Sequence, residues 1–319
     1  MKAGFVSLVG RPNAGKSSLL NRLVGTKLAI VSDKPQTTRN RILGVRMYED
    51  GQVVFLDTPG IHKPLHRMNV RMLDVARDAM RDVDVIGLVV DAADRSGAGD
   101  AFTLELAQRA DRPMVLVLNK VDLLAKPKLL PVIDDWSRRA DFADIVPVSA
   151  LTGDNVDRLE RVLLAHLPEG EPLYPPDFLT DQPERFFVAE AVREQVLRNT
   201  HAELPYSSAV VVDRFEEPDD RGLMRLYCTI LVERESQKPI VIGRAGDMIK
   251  RIGTEARVDL EKFFGTKVFL DLRVKVNAAW RDNDRALDDL GVPRAERKRP
   301  DAQPGHRPGS PRRRRPAKR

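Results

Sequence analysis

The chain has 319 residues, 42% of them hydrophobic, which excludes a wholly disordered protein and leaves room for two packed domains. A single cysteine, Cys228, set in an apolar run, excludes an internal disulfide framework and a CxxC zinc site and points to a reducing compartment. The formal charge of +6 resides at one end: residues 294–319 hold 11 Lys+Arg against 2 Asp+Glu, leaving 42 basic and 45 acidic groups elsewhere.

At the N-terminus an apolar stretch at 5–9 is too short for the core of a secretory signal. No stretch approaches the roughly 18 apolar residues of a membrane span, so a cytoplasmic protein is expected. Strands are predicted at 5–9, 53–56, 85–90, 114–118 and 145–148, and helices at 16–24, 68–80, 101–110, 128–140 and 155–167. This alternation predicts an α/β domain over 1–168, a mostly parallel sheet covered by helices. Runs at 45–48 and 52–56 flank Glu49-Asp50-Gly51 and predict one antiparallel hairpin at the sheet edge. Proline-rich residues 169–183 read as a linker. A second, α+β domain is expected over 184–293: helix 184–199, strands 209–215 and 223–232, a short strand or turn at 240–242, helix 247–264 and strand 268–276. Residues 294–319, rich in Pro and Arg, are expected to be disordered.

Gly10-Arg11-Pro12-Asn13-Ala14-Gly15-Lys16-Ser17 fits the phosphate-loop spacing GxxxxGK[ST], after a strand and before an amphipathic helix. Glycines there let backbone N–H groups cradle phosphates at a helix N-terminus. Lys16 is expected on the β- and γ-phosphates and Ser17 on Mg²⁺. Asp57-Thr58-Pro59-Gly60 ends the next buried strand. Asp57 can hold Mg²⁺ through water, and the Gly60 N–H can sense the γ-phosphate. Asn119-Lys120-Val121-Asp122 ends a third strand. The Asp122 carboxylate can accept the N1–H and 2-amino protons of guanine, donors that adenine lacks. Ser149-Ala150-Leu151 ends a fourth strand and can close over the base. Four such segments in this order at strand ends predict a GTP/GDP and Mg²⁺ site on the C-terminal edge of the sheet.

Gly10 through Ser17, continued by Ser18-Leu19-Leu20-Asn21, resembles the phosphate loop of the Era and tRNA-modification GTPases, which brings Ser18 into the nucleotide-binding set. Lys34-Pro35-Gln36-Thr37-Thr38-Arg39 looks like the first switch segment of the Era family. The resemblance implies that one of the paired threonines ligates Mg²⁺ in the GTP state. Thr38 is the choice and Thr37 the alternative, so Lys16, Thr38 and Gly60 stand at the catalytic step. The group also associates the phosphate-loop asparagine, here Asn13, with K⁺, beside the plainer reading of a turn-forming asparagine. Ras-type enzymes place a water-orienting glutamine directly after DxxG. Here the residue is Ile61.

In the second domain, Gly243-Arg244-Ala245-Gly246 is a GxxG turn before an amphipathic helix, the device by which KH modules hold single-stranded nucleic acid. Residues 248–257 closely resemble the corresponding Era helix, and the element order suits a type II KH fold. Residues 181–293 carry 18 Lys+Arg against 21 Asp+Glu, so RNA affinity is expected from a local patch at Lys238, Arg244, Lys250 and Arg251. The resemblance spans about 3–292 and implies a GTPase that binds small-subunit (16S) ribosomal RNA near its 3′ end and acts in maturation of the small ribosomal subunit. A GTPase of tRNA modification would carry a different accessory domain. An RNA-binding scaffold with a structural nucleotide would show no turnover. The arginines at 312–315 suit anionic lipid and RNA phosphates equally, so a peripheral place at the inner face of the cell membrane stands beside a solvated end with no partner. No obligate protein partner is deducible.

Overall fold

The computed structural model describes residues 1–62, 64–201, 204–292 and 294; the expected tail after Arg294 lies outside them. The first half builds β1 (Lys2–Val9), α1 (Lys16–Val24), β2 (Ile42–Tyr48), β3 (Gly51–Asp57), α2 (Arg67–Arg81), β4 (Val85–Asp91), α3 (Ala98–Gln108), β5 (Met114–Asn119), α4 (Lys126–Ser137), β6 (Asp144–Pro147) and α5 (Val156–Ala165). The six strands form one sheet in the order β2-β3-β1-β4-β5-β6, parallel except for the β2–β3 hairpin. β3 and β5 are buried at every residue, because helices cover both faces of a parallel sheet and leave no polar side. On one face α1 and α5 pack Leu19, Leu23, Leu159 and Leu163. On the other, α2, α3 and α4 supply Leu73, Leu104 and Trp136.

The segment after α5 is pinned to this sheet. Fully buried Gln52 donates from Nε2 to the Tyr174 carbonyl (2.8 Å) and accepts at Oε1 from the N–H groups of Leu173 (2.7 Å) and Tyr174 (3.0 Å). Val45 N–H donates to the Leu179 carbonyl at 2.8 Å. The proline-rich stretch therefore follows the β2–β3 edge of the six-stranded sheet as fixed backbone.

The second half builds α6 (Glu184–Asn199), α7 (Leu204–Ser207), β7 (Ala209–Glu216), β8 (Leu223–Val232), α8 (Lys238–Ile242), α9 (Asp247–Phe264), β9 (Lys267–Val276) and α10 (Asp284–Asp289). Its sheet runs β7-β8-β9, antiparallel then parallel, with α6 and α9 packed through Val188, Val192, Val196, Ile252, Ala256 and Leu260. The apolar run at 240–242 is a turn of helix and not a strand. Pro239 has a φ suited to a first helical turn, and Val241 is the residue the turn buries. Among the described residues no helix is long and apolar enough to cross a membrane.

The two halves meet where α2 receives the chain's last described elements. Met68 and Met72 of α2 share a buried cluster with Trp280, Leu287 and Val292. Arg71, with its side chain 8% exposed, bonds Asp284 at 2.7 Å, Asp288 at 2.8 Å and the Val292 carbonyl at 2.8 Å. Arg67 reaches Asp284 at 2.9 Å from a side chain 63% exposed. Arg71→Ala should therefore lower stability by about 2 kcal/mol, the range of buried hydrogen bonds to charged groups, and Arg67→Ala by less than about 1 kcal/mol. Urea denaturation followed by tryptophan emission measures both. Equal losses would show that burial does not set the strength of this contact.

Candidate functional site

Four loops at the C-terminal ends of β1, β3, β5 and β6 converge on one crevice, the position at which an open α/β sheet offers backbone N–H groups and helix starts to a ligand. The phosphate loop enters α1 through Gly15 at φ +91°, where a Cβ would sit 2.2 Å from Asn119 Nδ2. Only glycine meets both demands. A cleft lined by Asn13, Gly15, Lys16, Ser17, Thr38 and Gly60 results. Ser18, in the first turn of α1, also lines it, as does Gln36 of the switch segment; Ile30, Val31 and Ser32, which lie in a stretch without motif spacing, were not singled out from sequence.

Lys16 is buried, and its ammonium donates to the carbonyls of Gly10 and Arg11, both at 3.1 Å. Burial pushes its pKa down to about 8, with Asp57 acting in the opposite direction. The Ser17 hydroxyl donates to Asp57 Oδ2 at 2.7 Å and lies 2.7 Å from the Thr38 hydroxyl, which reaches the same carboxylate oxygen at 3.3 Å. The Thr37 hydroxyl instead donates to the Lys34 carbonyl at 2.6 Å. Asp57 Oδ1 is buried with no donor among the described residues, and burial raises the pKa of this carboxyl while Lys16, Ser17 and Thr38 oppose the rise. One carboxylate and two hydroxyls, all hard oxygens, with a buried oxygen left over, fit Mg²⁺. The ion would supply neutralisation of phosphate charge there.

Asn119 braces the base side. Its Nδ2 donates to the Ala14 carbonyl (2.9 Å) and its Oδ1 accepts from the Ala150 N–H (2.9 Å), so it ties the phosphate loop to the segment after β6. Lys120, at φ +65°, pairs with Asp91 at 2.6 Å. Ser149 donates to Asp122 Oδ1 at 2.6 Å, fixing one oxygen of the exposed carboxylate, and Leu151 stands 76% exposed beside this segment. Arg11 turns outward to Asp94 (2.7 Å) and Asp100 (3.2 Å). Asn13, at φ +63°, donates to the Asp33 carbonyl at 2.7 Å and so ties the phosphate loop to the segment that leads into Thr38. Ile61 is buried, and its N–H donates to the Gly10 carbonyl at 3.1 Å. It joins the segment Asp57-Thr58-Pro59-Gly60 to the phosphate loop and has no group that can orient water. Thr58 donates to the Leu8 carbonyl at 2.9 Å.

The loop that carries Thr38 is bonded into the second domain. Arg193 of α6 donates to the Thr37 carbonyl, and Glu194, fully buried, accepts from the Val31 N–H at 3.2 Å and from Lys27 at 2.6 Å. These partners lie more than 150 residues apart, and nothing local in the sequence marks them.

A second site lies on the α9–β9 side of the KH-like unit. Gly243 (φ +78°), Ala245 (φ +51°) and Gly246 (φ +84°) bend the turn before α9, and a Cβ on Gly243 would meet the backbone of Met248 at 2.6 Å. Arg244 projects from it exposed. Beside the turn, a groove of about 310 Å³ between α9 and the edge strand β9 is lined by Ile249, Lys250, Gly253, Thr254, Arg257 and Leu272. Lys250 lines it, but Lys238 and Arg251 do not; Arg251 pairs with Glu255 at 3.0 Å. Arg257 does line it and was missed, although its spacing of seven from Lys250 puts the two on one helix face.

Comparisons with known proteins match both halves of the chain. The family model of 50S ribosome-binding GTPases matches residues 5–120, and that of the KH domain matches residues 203–281. The chain is 51% identical to GTPase Era of Geotalea uraniireducens over 91% of this chain and 97% of that protein. It is 50% identical to GTPase Era of Geotalea daltonii over the same shares. Two solved structures each align with TM-score 0.88 and 39% identity over 92% of this chain and 99% of theirs. One is an Era variant of Aquifex aeolicus bound to GDP and aluminium fluoride, the other Era in complex with MgGDPNP and nucleotides 1506–1542 of 16S ribosomal RNA.

Lys16 carries a pH prediction. Phosphate binding needs its ammonium and raises its pKa, so affinity for GDP should be full below about 8 and fall as the pH rises beyond that value. Calorimetry in buffers of different ionisation enthalpy should find proton uptake on binding rising from about a tenth at pH 7 to about three quarters near pH 8.5. Uptake that stays flat across this range would return Lys16 to an ordinary pKa.

Base recognition is tested at Asp122. Asp122→Asn presents a donor where guanine needs an acceptor, and should weaken GTP binding by about 10⁴-fold while admitting XTP, whose 2-oxygen accepts from the amide. A mutant that still prefers GTP removes Asp122 from the base.

Proposed function

Because this chain belongs to the Era family of GTPases, we propose that its GTP state holds the single-stranded 3′ region of small-subunit ribosomal RNA at the GxxG turn and the α9–β9 groove, for maturation of the small ribosomal subunit. The chain hydrolyses GTP to GDP and phosphate, with Mg²⁺ as its metal. In the proposed assignment Lys16, Ser17, Thr38, Asp57 and the N–H of Gly60 surround the triphosphate end. Asn119, Lys120, Asp122 and the segment 149–151 hold the base. Arg244, Lys250 and Arg257 face the RNA. Residues 1–168 are the nucleotide domain and 184–293 the RNA domain.

The observation that carries a switch, as opposed to two unrelated sites on one chain, is the bonding of Thr37 and Val31 to Arg193 and Glu194 of α6. Thr38 lies in the same loop, so whatever orders its hydroxyl also positions the first helix of the RNA domain. The RNA assignment is supported by the similar Era structure in complex with 16S ribosomal RNA nucleotides. A cytoplasmic location, with the ribosome as partner, follows from the same reading. The basic tail adds nonspecific phosphate contacts in this account.

The test is RNA binding by a variant carrying Arg244→Asp and Ala245→Asp together. Aspartate tolerates the left-handed backbone at 245, so the turn is retained while two carboxylates face phosphate. Fluorescence anisotropy with an oligonucleotide of the 3′ end of small-subunit RNA should show affinity about a hundredfold weaker, with GTP affinity unchanged. Wild-type RNA affinity in this variant would reduce the turn to a helix entry.

A further inference from the structure

A separate cavity of about 470 Å³ lies where the loop carrying Thr38 meets the second domain. Arg39 and Asn40 of that loop, Arg185 and Arg193 of α6, Trp280 and the edge strand β7 form its walls. The volume is in the range of small-molecule sites. It lies apart from the RNA groove, because β7 and β9 are opposite edges of the three-stranded sheet.

Its charge is unbalanced. Arg39 is 7% exposed and Arg193 3% exposed. Among the described residues no carboxylate pairs with Arg39; its guanidinium donates to the carbonyls of Ser208 (2.9 Å) and Pro205 (3.4 Å) and lies 5.3 Å over the Trp280 ring. Arg39 Nε and Arg193 Nη1 have no acceptor among the described residues. Arg185 gives one donor to the Val212 carbonyl at 3.2 Å. Two carboxylates share the lining: Glu190, already committed to Arg193 at 2.6 Å, and the exposed Asp289. A cation held out of water without a counter-charge is costly, and arginine donors left over in a cavity are matched by an oxoanion.

We propose that this cavity binds a small phosphate ester, its phosphate on Arg39, Arg185 and Arg193 and its organic part against the partly exposed Phe186 and Leu290 of the same lining. Several guanidinium groups sharing one cavity suit the three oxygens of a phosphate monoester better than the two of a carboxylate. Arg39 follows Thr38 in the chain and Arg193 holds the Thr37 carbonyl, so the bound ester ties the nucleotide-sensing loop to the RNA domain. The inference goes beyond the proposed function and its test does not depend on RNA or on turnover.

The protein is first saturated with GDP and Mg²⁺, which fills the phosphate loop. It is then titrated by calorimetry with phenyl phosphate, inorganic phosphate and benzoate. One equivalent of phenyl phosphate should bind, more tightly than either other probe, and Arg185→Gln should weaken it at least about tenfold. Ala189→Leu, which narrows the same cavity, should weaken it too. No heat from phenyl phosphate at millimolar concentration overturns the site, as does binding that both variants leave unchanged. Inorganic phosphate binding as tightly as the ester overturns the assignment of an organic ligand.

Discussion

Asp57 is fully buried at the end of a buried strand, and one of its two oxygens meets no donor from the described residues. A carboxylate in that position is costly unless positive charge comes to it. Lys16 supplies part of that charge, itself desolvated and pushed toward neutrality. The hydroxyls of Ser17 and Thr38 supply the rest of the local polarity from two other segments. Each segment is thus held in place by its need to satisfy one oxygen pair, and a Mg²⁺ nucleotide relieves the lysine, the aspartate and the leftover oxygen together. The crevice is built for its ligand because without one its charges are poorly compensated.

This local demand spreads because the Thr38 loop is not free at its other side. Arg193 and Glu194 of α6 take its backbone groups, and Arg39 is buried against Ser208, Pro205 and Trp280. Trp280 in turn shares a buried cluster with Met68 and Met72 of α2, the helix that follows Gly60. Both nucleotide-facing loops therefore end in the same region of the second domain. Packed contacts of this sort resist gradual deformation, so a change at the phosphate end is passed on as a change of contact.

The RNA domain is balanced in charge, which places weight on a few groups. The turn before α9 presents Arg244 with glycines on either side of the pair, and the groove adds Lys250 and Arg257 along one helix face. Bases of the domain also pair within it, Arg251 with Glu255 at 3.0 Å, Arg281 with Glu233 and, at a longer 3.6 Å, Arg257 with Glu261. Local geometry, and not total charge, decides where phosphates are attracted.

The α/β fold, the KH-like unit and the order of nucleotide motifs were legible in the amino-acid sequence because each rests on short-range physics. Apolar periodicity marks strands and helices, and glycine spacing marks phosphate loops and GxxG turns within about ten residues. The run at 240–242 stayed open between a short strand and a turn for the same reason: β-branched residues suggest a strand, while Pro239 and the burial of one residue settle on a turn of helix. What remained for the tertiary structure were contacts between residues far apart in the chain. Thr37 and Thr38 are equivalent as neighbours in sequence, and only the folded loop puts the Thr38 hydroxyl against Asp57 and the Thr37 hydroxyl against Lys34. Arg71, Arg193 and Arg39 look like ordinary surface arginines in sequence. They become buried anchors because elements more than 150 residues distant pack over them, and burial is a property of the packed fold that no local pattern encodes.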